Sequence, residues 1–192
     1  MKYCFLDLET TGFSETKDPI IEISFIVRNE SGKEIDRFDE VIIPGKSPLT
    51  PFITSLTGIT QQEIDTEGKL LETVREEARE KIGDAAITGH NIDFDIKFLI
   101  ANGIDVSKNL RIDTHELARI MLIREDSYAL EVLSQKYGFM HKEAHRALSD
   151  VEASMDLFDF LQEKIQALPT KFIEEIRPIL EMKTEWTSKQ FF

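Results

Sequence analysis

Lys2-Tyr3-Cys4-Phe5-Leu6-Asp7-Leu8-Glu9-Thr10-Thr11-Gly12 opens the chain with a run of strand formers that ends on two acids and a turn. Residues 2–8 read as a short apolar strand. Side chains two positions apart on a strand share a face, so Asp7 and Glu9 project together while Leu8 points the other way, into a core. Thr10-Thr11-Gly12 then lets the chain turn sharply and expose backbone groups beside the acids. Two carboxylates on one face repel each other unless a cation lies between them. Hard oxygen donors of this kind select Mg²⁺ or Mn²⁺ over soft metals. A solvated strand end has the same look, so the remaining segments must decide.

Working outward, residues 20–28 (IIEISFIVR) partly alternate, with Ile21, Ile23, Phe25 and Val27 on one face, and predict a second strand. Residues 33–43 predict a third, joined to the second by a hairpin turn at Ser31-Gly32. The pattern then changes to helix alternating with strand. Thr60-Gln61-Gln62-Glu63 is a capping box ahead of a short helix, and residues 69–82 are charged and helical. Residues 85–89 (AAITG) predict a strand of small residues leading into His90. Residues 93–102 predict a helix ended by Asn102-Gly103. A brief strand at 110–112 leads to a helix capped by Asp113. Ser127 caps a helix over 128–137, which Gly138 stops. A long helix runs from about Ala147 to Ile165. After Leu168-Pro169-Thr170, residues 171–192 predict one or two short amphipathic helices interrupted near Pro178. An antiparallel meander followed by alternating helices and strands predicts an α/β fold with a mixed sheet.

The chain has 192 residues, enough for one compact domain and a short appendage. Its single cysteine, Cys4, excludes an intrachain disulfide, and no apolar run is long enough to span a membrane. A reducing cytoplasmic setting and no membrane association are expected. The formal net charge of −13 argues against a long basic nucleic-acid groove. Bound divalent cations would supply positive charge where a phosphate must sit. Weak, local binding of one strand end is therefore compatible with that balance.

Two further segments carry chemistry. His90-Asn91-Ile92-Asp93-Phe94-Asp95 falls where a strand ends and a helix begins, a usual place for ligands in α/β sheets. Asp95 can aim at the carboxyl edge of the sheet, and Phe94 offers a plate on which a base can stack. A helix N-terminus enriched in acids for dipole reasons would look alike. His145-Arg146-Ala147-Leu148-Ser149-Asp150 precedes and enters the long helix. On one helix, positions 145 and 150 would lie about 140° apart. They converge only if His145 sits in the loop before the helix, which suits a general base beside a metal.

Together, in this order, the three segments resemble the DEDD exonuclease superfamily in its proofreading-subunit, DnaQ-like branch with a histidine base. The matching residues are Asp7-Leu8-Glu9-Thr10-Thr11-Gly12, then His90-Asn91 with Phe94-Asp95, then His145 with Asp150. Asp113-Thr114 and the loop from Pro51-Phe52-Ile53 through Thr57-Gly58-Ile59-Thr60 also match. The resemblance covers about residues 1–165 and implies the RNase H-like fold, a mixed central sheet with helices on both faces. It implies two divalent cations, Mg²⁺ or Mn²⁺, held by Asp7, Glu9, Asp95 and Asp150. Asp7 would bridge both ions, and Glu9 and Asp150 would hold the ion nearer the attacking water. Asp95 would complete the site, directly or through water, and His145 would be the base. Leu8, Thr10, Thr11, Ile59, Phe94 and Asn91 are expected to hold the terminal nucleotide. The implied activity is 3′→5′ removal of mononucleotides from DNA ends, preferably single-stranded. An exoribonuclease of the same superfamily and an inactive nucleic-acid-binding relative are the alternatives. Proofreading subunits often carry His before Gly-Ile where this chain has Thr57.

The expected division is an exonuclease domain over 1–166 and a C-terminal helical tail or linker over 167–192. Such domains occur alone, beside a polymerase, or fused ahead of a helicase; the Leu168-Pro169 boundary is similar to the helicase-fused type. Other motifs read as ordinary. Gly45-Lys46-Ser47 lacks the first glycine of a phosphate loop, since Glu40 stands there, and Pro48 follows in place of a helix. His141 and His145 have zinc-pair spacing, but no second pair completes a site. Trp186, Phe191 and Phe192 are read as packing residues of the tail.

Overall fold

The structure, a computed structural model, describes residues 1–45, 49–139 and 145–182. The Lys46–Pro48 turn, His141 and the aromatic residues of the tail end lie outside the described residues. Five strands form one sheet: β1 (Tyr3–Thr10), β2 (Ile20–Arg28), β3 (Glu34–Val41), β4 (Ala86–Gly89) and β5 (Arg111–Asp113), in the order β3-β2-β1-β4-β5. The first three pair antiparallel, whereas β4 joins β1 and β5 joins β4 in parallel. The sheet is therefore mixed, as the sequence predicts.

Register explains how one strand serves two cores. Leu8 faces Ile23, Leu6 faces Phe25 and Cys4 faces Val27 across the β1–β2 pair. These six side chains pack with Val74, Ala78 and Ile82 of α3 (Leu71–Ile82) and Ile96, Phe98 and Leu99 of α4 (Asp93–Ala101). On the opposite face Phe5, Ile26 and Ala86 meet α5 (Thr114–Met121), α6 (Leu130–Tyr137), α7 (Ala147–Gln166) and α8 (Thr170–Glu181). Val151, Leu157, Phe158, Leu161 and Ile165, all on α7, make α7 the largest single contributor to this second core. Phe158 meets Phe5 edge-on with ring centroids 5.2 Å apart. With both faces covered, β2 is buried along its whole length, including Glu22, Ser24 and Arg28. The partial alternation in its sequence marks only one of its two buried faces.

Three local expectations are corrected. The Pro51 segment, expected as a loop, forms helix α1 (Pro51–Thr57). Thr50 caps it by accepting the Ile53 N–H at 3.3 Å, and Pro51 stands in the first turn, where its missing N–H costs nothing. Helix α2 (Gln61–Glu67) follows, with the expected Thr60 cap accepting from Glu63 N. Helix α6 begins at Leu130 rather than 128, and Ser127 does not cap it through the first turn. Tyr128 is held outside the helix: its carbonyl meets His90 Nε2 at 2.8 Å and its hydroxyl donates to Leu122 O at 2.8 Å. Helix α8 continues through Pro178 instead of breaking there. Leu180, with Leu168, Ile173 and Ile176, packs on the α7 side of the core and holds the helix past the lost hydrogen bond.

Candidate active site

Asp7 and Glu9 lie at the carboxyl end of β1, on the face that α7 covers. Leu8 points into the other core. Across β2, Ser24 pairs with Asp7 and Glu22 with Glu9, so three acids share one patch of sheet. The turn that follows is tight. Thr11 N–H donates to Pro19 O at 3.0 Å and Thr10 Oγ1 to Gly12 O at 2.6 Å. A Cβ at Gly12 would lie 2.5 Å from Asp18 Oδ2, which accepts the Ser14 N–H at 2.9 Å. A side chain here would have to displace the Asp18 carboxylate from the Ser14 N–H.

Asp95 arrives from the other side of β1. Pairing between β1 and β4 ends at Phe5 and Thr88, leaving the Leu8 N–H without a strand partner on that edge. Asp95 Oδ1 accepts it at 3.0 Å, and the Asp95 carboxylate is buried. The approach is possible because Gly89 has no side chain: a Cβ there would stand 2.6 Å from Leu6 O and 2.6 Å from Ile92 Cδ1. Asn91, at φ 61°, then turns the chain into α4 and donates its N–H to Asp113 Oδ1 at 3.0 Å.

The third approach is the start of α7. His145 stands in the turn two residues before the helix, exposed and at φ 65°, and Asp150 sits in the first turn. One ligand atom each from Glu9, His145 and Asp150 all lie within 4.8 Å of one another. The convergence that a single helix would forbid is thus achieved by the loop position of His145.

Burial is the main cause that raises the Asp7 carboxyl well above the usual range, and Asp95, Asp150 and Glu9 add repulsion. Burial likewise pushes Glu9 up to about 8, with Asp150, Glu22 and Asp95 contributing and Arg146 opposing. Asp95 is raised by burial, against the Leu8 hydrogen bond that favours its charged form. So many acids held together in low dielectric call for a compensating charge. All four aspartates and glutamates proposed as ligands offer hard oxygens, the donor set of Mg²⁺ or Mn²⁺, and the residues present fit such ions.

Beside the acids lies a cleft of about 290 Å³, lined by Leu8, Thr10, Thr11 and Phe94 and, from α1, by Phe52, Ile53 and Leu56. Phe13 stands at its mouth, 92% exposed, with its ring edge-on to Phe94 at 6.4 Å. Phe52 is 71% exposed. Exposed aromatic rings at this cleft suit a flat ligand, and cations at the neighbouring acids would let that ligand carry negative charge. Residues 4–158 match the RNase_T family model, described as Exonuclease. The chain belongs to the RNase T exonuclease family.

Relatives of this exonuclease-family chain include the PolC-type DNA polymerase III of Pediococcus pentosaceus. It is 39% identical over 158 residues, which make up 80% of this chain and 11% of the polymerase. The 3′-5′ exonuclease DinG of Bacillus subtilis is 35% identical over 181 residues, 92% of this chain and 19% of that protein. The chain therefore spans less than a fifth of the length of either relative. Among solved structures, exonuclease X in complex with 5′ overhanging duplex DNA aligns with a TM-score of 0.67 at 20% identity, covering 98% of this chain and 96% of that one. E. coli exonuclease I in complex with a dT13 oligonucleotide aligns at 0.68 and 23%, covering 87% and 46%. The shared architecture is the RNase H-like fold.

Within the exonuclease-family site, some sequence-predicted residues stand elsewhere than the cleft wall. Ile59 is fully buried with Ile21, Ile53 and Ile64, so it supports the cleft from beneath. The side chain of Asn91 is exposed and does not line the cleft. Thr57 is turned inward, its hydroxyl donating to Ile53 O at 3.0 Å and accepting the Ile59 N–H at 3.2 Å. His90 is locked by Thr114 Oγ1 at 3.0 Å and by Tyr128 O, and burial pulls its pKa down to about 4. It positions the β4–α4 turn. Sequence reading missed Phe13, Phe52 and Leu56. The Thr50-Pro51 cap signal would have exposed the last two by placing them on a helix.

Proposed function

We propose that this chain is a metal-dependent 3′→5′ exonuclease that releases nucleoside monophosphates from DNA ends, preferably single-stranded. The observation that carries the reading is the meeting of β1, α4 and the start of α7: Glu9, His145 and Asp150 lie within reach of one ligand, with half-buried Asp7 and buried Asp95 adjoining. Asp7, Glu9, Asp95 and Asp150 would hold two divalent cations, Mg²⁺ or Mn²⁺. When bound, these acidify water and neutralise phosphate charge.

The chain's own groups do the rest. His145, exposed and free of a helix, takes the proton of the attacking water at a ring nitrogen. The new bond joins the water oxygen to phosphorus, and the bond from phosphorus to the departing 3′ oxygen breaks. Phe94, Phe13 and Phe52 stack on the terminal bases, Leu8 and Ile53 form the floor, and Thr10 and Thr11 offer polar groups at the rim. Asn91 acts through its backbone, by fixing the turn that carries Asp95. Residues 1–166 form the catalytic unit and 167–192 a tail. A cytoplasmic setting in replication or repair, beside a polymerase or helicase, belongs to this reading; the match to part of a PolC-type DNA polymerase III supports the polymerase neighbour. No helix among the described residues is long and apolar enough to cross a membrane.

The test uses 5′-labelled single-stranded DNA, duplex DNA and RNA with Mn²⁺ or with chelator. Stepwise shortening from the 3′ end, fastest on single-stranded DNA and abolished by chelator, is expected. Faster shortening of RNA would reassign the substrate to RNA. No metal-dependent shortening of any strand would overturn the nuclease reading.

A further inference from the structure

We propose that Arg146 is a positioning residue that ties the His145 turn to both the sheet and the α1–α2 wall of the cleft, and so aims the imidazole at Glu9 and Asp150. The inference rests on the reading of His145 as the base. His145 occupies the left-handed region at φ 65°, which non-glycine residues use sparingly, and its side chain is exposed. A turn of that kind keeps its shape only when its flanks are held.

Arg146, at the N-cap position, makes no side-chain bond to the helix backbone. The cap comes from another element: Glu22 Oε2 on β2 accepts the Ala147 N–H at 2.8 Å. Glu22 is 1% exposed, and a carboxylate so deeply buried requires a partner. Arg146 supplies one, giving Nε and Nη2 to Glu22 Oε1 at 3.2 and 2.7 Å. The same Nη2 reaches Glu63 Oε1 on α2 at 3.0 Å. The arginine stem also passes the α1–α2 junction, where a Cβ on Gly58 would lie 3.8 Å from Arg146 Cδ. One planar fork thus joins β2, α2 and the residue next to His145. Lysine carries the same charge without the fork and cannot hold these contacts together.

The experiment compares wild type, Arg146→Lys, Glu63→Ala, His145→Ala and the Arg146→Lys/His145→Ala pair. Arg146→Lys is expected to lower kcat roughly 10- to 100-fold, as a misplaced catalytic group does, with Mn²⁺ affinity unchanged. Glu63→Ala leaves the Glu22 pair and the helix cap intact, and is expected to give a smaller loss in the same direction. In the His145→Ala background Arg146→Lys should cost nothing further, because Arg146 acts through His145. An equal loss with and without His145, or wild-type kcat in both Arg146→Lys and Glu63→Ala, overturns the proposal. NMR of ¹³C-labelled histidine gives a readout free of turnover, since the chain has four histidines and the His145 signal is the one lost in His145→Ala. That signal should move toward the free-histidine position in Arg146→Lys, and an unmoved signal also overturns the tether. A wild type that folds but hydrolyses nothing refutes the exonuclease reading instead, and the NMR arm then still decides the tether.

Discussion

Replacing Glu9 with glutamine removes one charge from the acidic cluster and keeps the shape of the side chain. In the metal-free protein burial, reinforced by Asp150, Glu22 and Asp95, lifts the Glu9 carboxyl from 4.5 to about 8. An acid whose folded pKa exceeds its unfolded value binds more protons when folded across that window. Stability is therefore lost as pH rises from about 4.5 through about 8, and is least affected below it. At about 1.4 kcal/mol per pKa unit, ionising Glu9 costs the metal-free fold on the order of 4 kcal/mol at pH 8, before relaxation and solvent screening reduce it. For a domain of this size each kcal/mol moves Tm by about 2–4 °C. Glu9→Gln is expected to melt several degrees above wild type in chelator at pH 8, and close to wild type at pH 5, where Glu9 is already protonated in the fold. Saturating Mn²⁺ should reverse the order. Wild type gains roughly 2.7 kcal/mol at a hundredfold excess over Kd, and the variant, having lost a ligand, gains less. Thermal melts followed by circular dichroism at the two pH values, with chelator and then with Mn²⁺, measure all of this. A variant that melts at or below wild type at pH 8 in chelator would refute the reasoning, as would an equal gain at pH 5 and pH 8.

Three other outcomes are expected. Asp7→Ala should remove hydrolysis and weaken Mn²⁺ binding in calorimetry, whereas His145→Ala should lower kcat by about 10²–10⁴ and leave Mn²⁺ affinity unchanged; unchanged turnover in purified His145→Ala would count against the base assignment. Phe13→Ala or Phe52→Ala should each raise KM for a short oligonucleotide by an amount corresponding to about 1–3 kcal/mol of lost stacking, with kcat nearly kept, and an unaltered KM in both would remove these rings from the binding surface. Gly89→Ala would drive a methyl against Leu6 O and Ile92, and should cost about 1–3 kcal/mol in urea unfolding; a wild-type midpoint would mean that β4 shifts freely, against the close approach described here.

The strand and helix order was legible because most elements carry local signals. β1 and β2 are apolar runs, β3 follows a Gly32 turn at φ 79°, and Thr60, Asp113, Gly103 and Gly138 mark helix ends through their own side chains or positive φ. Boundaries were misread where tertiary contacts override them. Tyr128 is drawn out of α6 by His90 and Leu122, and Pro178 is carried inside α8 by the packing of Leu180. Helix α1 is legible in the Thr50-Pro51 cap signal, within a segment that otherwise reads as loop.

By itself the sequence singled out the candidate acids and the candidate base, because their types, their order and the strand or helix ends on which they fall are local properties that carry the family resemblance. It also determined the mixed α/β order, since hydrophobic period and caps act within a few residues. Tertiary structure alone decided which groups share a space. The register that sets Glu22 opposite Glu9 and the free Leu8 N–H that receives Asp95 depend on residues up to 87 positions apart. So do the inward Ile59 and the Arg146 clasp across 124 positions to Glu22. Such contacts form only once both faces of the sheet are covered, because burial is what makes an unpaired charge or N–H costly enough to select its partner.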